Sequence, residues 1–241
     1  MIPKKIYYIW FGGRPLPPEV HKNIQTWKKT NPDFKVIQIN EKNYDISKIK
    51  FAIDAYKAQN WAFVSDVIRL DVIYNNGGFY FDTDVKLMKS LNGFRNANSI
   101  WGLETVNQVN SGLILGANKN NKDIEALLQI YKKKHFDVDN IQNLITTDII
   151  SRYFIKKGLK PMNTFQVLSY DAYIYPSQYF APYHWWGGGH LTGKTVAIHE
   201  YSKSWGNNKT IGLRRKIRLN IRHKFPRLFF FIQNVRHDKR G

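Results

Sequence analysis

The sequence predicts an α/β fold built from alternating strands and helices. Its 241 residues, 43% of them hydrophobic, are enough to form the core of one domain. The apolar pattern of the first 40 residues alternates between strand, helix and strand, which is typical of an α/β sheet. The chain contains no cysteine, so a disulfide framework, thiolate metal ligands and a cysteine nucleophile are excluded.

The N-terminal pattern defines the first three elements. Residues 6–10 form a β-rich apolar run that stops at Gly12 and Gly13, which predicts a buried strand followed by a loop. Apolar residues at helical spacing predict a helix over residues 19–29. Residues 34–39 are again apolar and predict the second strand.

A largely buried helix is predicted over residues 61–75, because apolar side chains recur there at helical spacing and the pair Gly77 and Gly78 stops it. A short strand over residues 79–81 then returns to the sheet, and its end carries the acidic segment 82–84. The alternation continues with strands over residues 100–103 and 113–115, helices over 123–134 and 147–156, and a final strand over 195–198.

The positive charge is concentrated at the C-terminus. The whole chain has 37 Lys and Arg against 18 Asp and Glu, a formal charge of +19. Residues 209–241 hold 11 of these bases and one acid, a net +10, and residues 1–208 carry the remaining +9. Such charge indicates a polyanionic partner: nucleic acid, an anionic membrane surface or a phosphorylated substrate. We therefore predict one domain over 1–208 and a basic tail over 209–241.

The tail has an amphipathic pattern. Leu213, Ile217, Ile221 and Phe225 recur every four residues, and arginines occupy the other faces. This pattern suits a helix that docks on an anionic membrane, and the alternative is a solvated helix packed on the domain. No signal peptide or membrane span is visible, so we expect a cytoplasmic protein that is peripheral to the inner face of the plasma membrane.

Two pairs of charged residues indicate chemistry. On a strand, Asp82 and Asp84 would share one face about 7 Å apart and could hold Mg²⁺ or Mn²⁺, which also bind phosphate oxygens. Asp66 and Arg69 are three residues apart on the predicted helix, so they should form an ion pair. This ion pair either fixes the helix against the sheet or belongs to the candidate metal site.

Together these motifs resemble a known family. Residues 2–13 read I-P-K-K-I-Y-Y-I-W-F-G-G, and residues 65–84 read S-D-x-x-R-x-x-x-I-Y-x-x-G-G-x-Y-x-D-x-D. This composite resembles the DXD-containing sugar-binding region of glycosyltransferase family thirty-two, which includes capsular and lipopolysaccharide glycosyltransferases and is related to the catalytic domains of clostridial glucosylating toxins. The resemblance covers roughly residues 1–120, with a looser match over 199–205.

The resemblance implies a GT-A fold and retaining, metal-dependent transfer of a hexose from a UDP-sugar to a glycan hydroxyl in bacterial capsule or lipopolysaccharide synthesis. The acceptor would be lipid-linked, and nucleic acid would not be a partner. The residues expected at the nucleotide are Ile9, Trp10, Ser65, Tyr80, Asp82, Lys203 and Ser204. Those expected at the sugar and the reacting bond are Asp66, Arg69, Asp84, Asn110 and Trp205. Those expected at Mn²⁺ or Mg²⁺ are Asp82, Asp84 and His199.

Within these sets the resemblance implies separate roles. Trp10 would stack on the uracil ring, unless it is a core tryptophan. Asn110 would reach the sugar from a turn, and Trp205 would close over the anomeric centre. Asp84 would be the direct metal ligand. His199 would complete the metal shell, and the alternative is a solvated histidine at a strand end.

The acceptor side is less defined. Residues 146–148 read Thr-Thr-Asp where many family members have Thr-Gly-Pro, which leaves Asp148 as a candidate there. The aromatic, glycine-rich stretch 179–189 is either a loop near the site or an irregular connection.

Three other functions remain open from the sequence. A haloacid-dehalogenase-like phosphotransferase would use Asp82 and Asp84, but its pattern requires Thr or Val where this chain has Lys86. A basic nucleic-acid-binding protein fits the charge, although no fold motif of that class accompanies it. A toxin-like protein glucosylator would need a delivery system, and none is visible.

Overall fold

A mixed seven-stranded sheet forms the centre of the protein in a computed structural model, which describes residues 1–201 and 212–225. In chain order the strands are β1 (Lys5–Ile9), β2 (Lys35–Ile39), β3 (Gly78–Tyr80), β4 (Val85–Leu87), β5 (Ser99–Thr105), β6 (Gln108–Ala117), β7 (Gln166–Leu168), β8 (Ala172–Tyr175) and β9 (Ala197–His199). The large sheet has the order β2-β1-β3-β6-β5-β8-β7, and β4 pairs with β9 in a small second sheet.

The helices cover both faces of this sheet. In chain order they are α1 (Pro18–Thr30), α2 (Lys50–Lys57), α3 (Trp61–Asn76), α4 (Lys122–Lys132), α5 (Thr146–Lys156) and α6 (Leu213–Lys224). The predicted helices and strands of residues 1–201 are present, with bounds that differ by a few residues. The sequence interpretation missed α2, β4, β7 and β8, which are short.

Alternation along β1 shows how the sheet is buried on both faces. Tyr7 and Ile9 belong to the core cluster that includes α3, whereas Ile6 and Tyr8 belong to the cluster that includes α1. A strand buried on both faces reads as a continuous apolar run, which is why β1 could be recognised from sequence.

The strand order brings two chain segments together at one edge of the sheet. β1 is parallel to both β2 and β3, so the residues that follow β1 and β3 emerge side by side. α3 ends where the sequence predicts, because Gly77 adopts a positive φ of 61° and its N–H donates to the carbonyl of Ile73. The chain then enters β3 directly and reaches Asp82.

Two local predictions are wrong. Residues 82–84 form a turn between β3 and β4 instead of extending a strand, and the N–H of Val85 donates to the carbonyl of Asp82 at 3.1 Å. Asn110 does not lie in a turn, because it belongs to β6 at a point where the pairing with β5 shifts register. Residues 179–189 form an irregular connection that contains one isolated β-bridge. Among the described residues, no helix is long and apolar enough to cross a membrane.

Candidate active site

A cavity of about 290 Å³ lies where β1 and β3 end, beside the first turns of α3 and the end of β9. Its lining is Ile9, Trp10, Phe11, Trp61, Ala62, Ser65, Asp66, Arg69, Tyr80, Asp82, Thr83, Asp84, His199 and Tyr201. The structure therefore brings together most of the residues that the sequence predicts for the site, from segments nearly 200 residues apart.

The turn after β3 holds the candidate metal ligands. Ligand atoms of Asp82, Asp84 and His199 all lie within 4.8 Å of one another. The register of the small sheet explains this proximity, because β4 and β9 pair Val85 with His199. His199 Nε2 lies 3.1 Å from Asp84 Oδ1. The carboxylates therefore converge through a turn, and not through the alternation of a strand.

Further contacts hold that turn in place. The N–H of Glu200 donates to the carbonyl of Asp84 at 2.9 Å. Asn23, from α1, donates from Nδ2 to the carbonyl of Thr83 at 3.2 Å and to Glu200 Oε2 at 3.1 Å. α1 thus fixes the turn to the end of β9, and Asn23 is a positioning residue that no sequence pattern indicated.

Asp82, Asp84 and His199 fit a divalent cation. Two carboxylates and an imidazole are a suitable donor set for Mn²⁺, and Mg²⁺ suits the carboxylates. His199 is only 9% exposed, so it is not the solvated histidine that the sequence left as an alternative. Its Nε2 is the nitrogen that faces Asp84, and its Nδ1 is buried without a hydrogen-bond partner among the described residues.

Arg69 is the centre of the ionic network in the cavity. It is 4% exposed, and its Nη2 lies 2.8 Å from Asp66 Oδ1 and 3.2 Å from Asp82 Oδ1. It also donates to the Ser65 hydroxyl at 3.2 Å and to the Ser111 hydroxyl at 3.3 Å. The predicted ion pair of Asp66 and Arg69 is therefore present. It belongs to the cavity, and Arg69 also orients the first carboxylate of the DXD turn.

Burial and charge set the protonation of this network. Burial opposes the positive charge of Arg69, but the carboxylates of Asp82 and Asp66 and the Tyr80 ring outweigh it and raise the pKa of Arg69. Burial raises the pKa of Asp66 despite its contact with Arg69. Burial also raises the pKa of Tyr80, whose hydroxyl donates to Asp82 Oδ1 at 2.8 Å. Tyr80 is therefore a neutral donor that helps to orient Asp82.

Gly112 leaves the space that Asp82 occupies. A Cβ at this position would lie 1.9 Å from Asp82 Oδ2 and 3.1 Å from Arg69 Nη1. The carbonyl of Gly112 also accepts the N–H of Asp82 at 2.9 Å. Only a glycine lets the carboxylate lie against β6, so Gly112 is a site residue that the sequence interpretation did not name.

Asn110 lies beside this glycine, outside the lining of the cavity. Its Oδ1 accepts the N–H of Gly112 at 2.7 Å, and its Nδ2 donates to Glu104 Oε2 at 3.3 Å. Burial raises the pKa of Glu104, although the nearby His199 opposes this. Asn110 thus shapes the backbone under Asp82, and Glu104 is a further acid near the site that no motif indicated.

Trp10 stands at the aromatic part of the cavity. It is partly exposed, in contrast to the core tryptophans Trp27 and Trp101, which are fully buried. Its indole N–H donates to the carbonyl of Arg14 at 2.7 Å, which fixes the ring. Trp61 also lines the cavity. An aromatic face is therefore available to a flat ligand such as a nucleobase.

The other predictions concern the C-terminal segment and the acceptor side. Lys203, Ser204 and Trp205 lie outside the described residues. Asp148 lies in the first turn of α5 and is not part of the cavity lining. Tyr201, which the sequence did not indicate, packs edge-on against His199 with ring centroids 4.3 Å apart.

Comparison with known proteins agrees with this geometry. Residues 17–105 match a family model described as a glycosyltransferase sugar-binding region containing a DXD motif. An initiation-specific alpha-1,6-mannosyltransferase of Candida albicans (strain SC5314 / ATCC MYA-2876) is 29% identical over 124 residues, which cover 47% of this chain and 31% of that protein. This chain therefore matches about a third of that curated relative's length.

A solved structure titled PaToxG Glycosyltransferase shares the fold, with a TM-score of 0.52 at 17% identity over 64% of this chain and 68% of that one. The predicted fold class is confirmed. The match to a glycosyltransferase sugar-binding region agrees with the predicted enzyme class. The DXD of the matched region is the turn that carries Asp82 and Asp84. The phosphotransferase and nucleic-acid alternatives are not favoured. The acidic turn follows the third strand, β3, whereas a phosphotransferase motif would follow the first strand.

Proposed function

From a DXD-containing glycosyltransferase region with this cavity, we propose that the protein transfers a hexose from a UDP-sugar to a glycan hydroxyl with retention of configuration and with Mn²⁺ or Mg²⁺ as cofactor. The observation that carries the proposal is the Arg69 network. One buried guanidinium holds two carboxylates, Asp66 and Asp82, in a single cavity. Asp66 would face the sugar and Asp82 the metal.

The donor would bind along the lining of this cavity. Trp10 offers the stacking face for the uracil, and Ile9, Ser65 and Tyr80 lie beside it in the same lining. The diphosphate would then reach the turn that carries Asp84. This arrangement supports a nucleotide-sugar donor, because it provides an aromatic contact for the base and ligands for a cation at the phosphates.

Asp84 and His199 would hold the metal directly, and Asp82 would complete the site from its place beside Gly112. A bound divalent cation would neutralise the charge that develops on the departing diphosphate. Asp66, whose side chain is 17% exposed and lines the cavity, would accept hydrogen bonds from the sugar hydroxyls. Because Arg69 fixes Asp66 before a ligand binds, the sugar would be oriented at little entropic cost.

The proposed acceptor follows from the family resemblance. A capsular or lipopolysaccharide glycan carried on a lipid would place its hydroxyl on the same face of the sugar as the departing diphosphate. Glu104 and Asn110 lie near the metal-binding turn and would border such an acceptor.

The test is sugar-nucleotide hydrolysis in the absence of acceptor. The purified chain is incubated with UDP-glucose, UDP-galactose or UDP-N-acetylglucosamine, with and without Mn²⁺, and release of UDP is measured. GDP-mannose is included, since the Candida relative is named a mannosyltransferase. We expect Mn²⁺-dependent release from at least one UDP-sugar.

Two variants separate the site from the fold. Asp84→Asn should abolish release, whereas Asp71→Asn, in α3 but outside the cavity lining, should retain it. Release from GDP-mannose alone would overturn the UDP assignment and keep the transferase. Absence of hydrolysis together with absence of a nucleotide-dependent thermal shift would overturn the donor proposal itself.

A further inference from the structure

Helix α6 presents an apolar stripe to solvent. Leu213, Ile217, Ile221 and Phe225 are 73%, 50%, 42% and 59% exposed, respectively. Four large apolar residues in one stripe on a folded chain are unusual without a partner, because burying them would be favourable. The stripe therefore indicates a surface that something else covers.

Residues outside the stripe attach α6 to the domain. Arg222 donates from Nη2 to the carbonyl of Val106 at 2.9 Å, and the Trp186 indole donates to Asn220 Oδ1 at 3.1 Å. The ring of His223 packs against His184 with centroids 4.3 Å apart. Around the helix axis, residues 222 and 223 lie about 120° and 140° from the centre of the stripe. The apolar stripe thus faces outward as a result of how the helix is anchored.

Charge identifies the partner. The helix sequence LRRKIRLNIRHK contains six Lys and Arg and no Asp or Glu. Beside it, Trp185 is 38% exposed and lies under the guanidinium of Arg215, 5.9 Å from the ring centroid. Apolar side chains flanked by bases, with a tryptophan at the margin, match the boundary between lipid headgroups and acyl chains.

We propose that the outward face of α6 docks on an anionic lipid bilayer. Nucleic acid would contact the Lys and Arg side chains of α6 but would leave the apolar stripe in water, so it matches only half of the surface. A groove on another protein would bury the stripe, but it would need many acidic side chains around it to match the Lys and Arg residues of α6. An anionic bilayer accommodates both features at once, since Lys and Arg side chains are attracted to the anionic headgroups and the apolar stripe enters the interface.

The anchoring of α6 connects this surface to the site. Val106, which accepts from Arg222, lies between β5 and β6, the strands that carry Glu104 and Asn110. A bilayer under α6 would therefore lie near the candidate acceptor side of the cavity. This part rests on the proposed function, and it explains how a lipid-linked acceptor would reach an enzyme at the inner face of the plasma membrane.

The experiment is co-sedimentation of the full chain with phosphatidylcholine vesicles that contain either no phosphatidylglycerol or roughly a third of it. We expect binding to the anionic vesicles and at least about tenfold weaker binding to the neutral ones. The double variant I217N/I221N should lose at least about tenfold in partitioning, because two apolar side chains leave the interface.

Matched variants keep the outcome decisive. Val167→Asn, at an exposed apolar residue of β7, should bind as the original chain does. Circular dichroism and UDP-sugar hydrolysis of I217N/I221N should be unchanged, which separates failure of docking from failure of the transferase. Unchanged vesicle binding by I217N/I221N, or equal binding to neutral and anionic vesicles, would overturn the proposal. Binding of the full chain to RNA, without binding to the anionic vesicles, would overturn it in favour of nucleic acid.

Discussion

The cavity around Arg69 and the outward face of α6 are prepared for their ligands in opposite ways. In the cavity, charged groups are buried and already paired, so their geometry is set before any ligand binds. On α6, apolar side chains stand in solvent and the bases surround them, so binding depends on pattern rather than on fixed geometry. Single substitutions should therefore have large effects in the cavity and small, cumulative effects on α6.

Removal of Arg69 should have the largest effect. Arg69→Met leaves Asp66 and Asp82 without their buried partner, which should cost roughly 3–5 kcal/mol of unfolding free energy and abolish hydrolysis. Urea unfolding and UDP release measure the two effects. Arg69→Lys keeps the charge but not the forked contacts, so it should recover part of the stability and little activity. A stable Arg69→Met protein would contradict the view of a pre-paired cavity.

Gly112→Ala should remove activity with a smaller effect on folding. The added methyl would overlap Asp82 Oδ2, so the carboxylate must leave its place beside Tyr80 and Arg69. We expect the hydrolysis rate to fall at least about a hundredfold, which is the typical effect of removing one group that stabilises charge in the transition state. The free energy of unfolding should fall by about 1–3 kcal/mol because the site is overpacked. Gly93→Ala is the control, because a Cβ there meets nothing within 4 Å. Equal activity of both variants would show that Asp82 is not required where it stands.

Trp10→Ala tests the aromatic part of the cavity. Loss of base stacking should cost about 1–3 kcal/mol, which raises KM for the UDP-sugar by roughly 5- to 150-fold with a smaller change in kcat. Steady-state kinetics measure the split between KM and kcat, and Trp10→Phe should restore most of the affinity. A change in kcat alone, with KM constant, would place Trp10 outside the nucleotide contact.

Acidification should loosen the attachment of α6. The pKa of His223 falls to about 4 because burial disfavours the charged ring, and His184 and Lys224 add repulsion. Thr105, Asn163 and Trp186 also face the ring but carry no charge. A detached histidine has a pKa of about 6.5 and so binds more protons between pH 6.5 and 4, which makes attachment weaken as the pH falls through this window.

Hydrogen exchange of α6 measures this effect. Protection, corrected for the intrinsic exchange rate, should be constant above about pH 6.5 and fall below it by at most about tenfold per pH unit for one histidine. His223→Gln should show a weaker pH dependence, with the remainder due to His184, whose pKa is also lowered by burial. Rising protection on acidification would contradict the burial of these rings.

The part of the site that the sequence predicted depends on short-range spacing. Asp66 and Arg69 share a helix face by their separation alone, and the glycines after α3 mark where the chain enters β3. These relations hold within about twenty residues, so local periodicity is sufficient to predict them. The same holds for the stripe on α6.

The part that the sequence missed depends on pairing between distant segments. Gly112 lies under Asp82 only because β6 pairs beside β3, and Asn23 reaches the DXD turn from α1. The assumption that the strand continues through Asp84 also failed, because the chain turns there to pair β4 with β9. Register between distant strands cannot be deduced from a single sequence pattern, although the family resemblance did indicate His199.

The most direct test of the account is metal-dependent nucleotide binding. UDP is titrated calorimetrically into the protein with Mn²⁺ and with EDTA, for the original chain, Asp84→Asn and Asp71→Asn. Binding should require Mn²⁺, should weaken at least about tenfold in Asp84→Asn through loss of a metal ligand, and should be unchanged in Asp71→Asn. UDP binding that is equal with and without Mn²⁺, or unaffected by Asp84→Asn, would contradict the assignment of Asp82, Asp84 and His199 as a metal site.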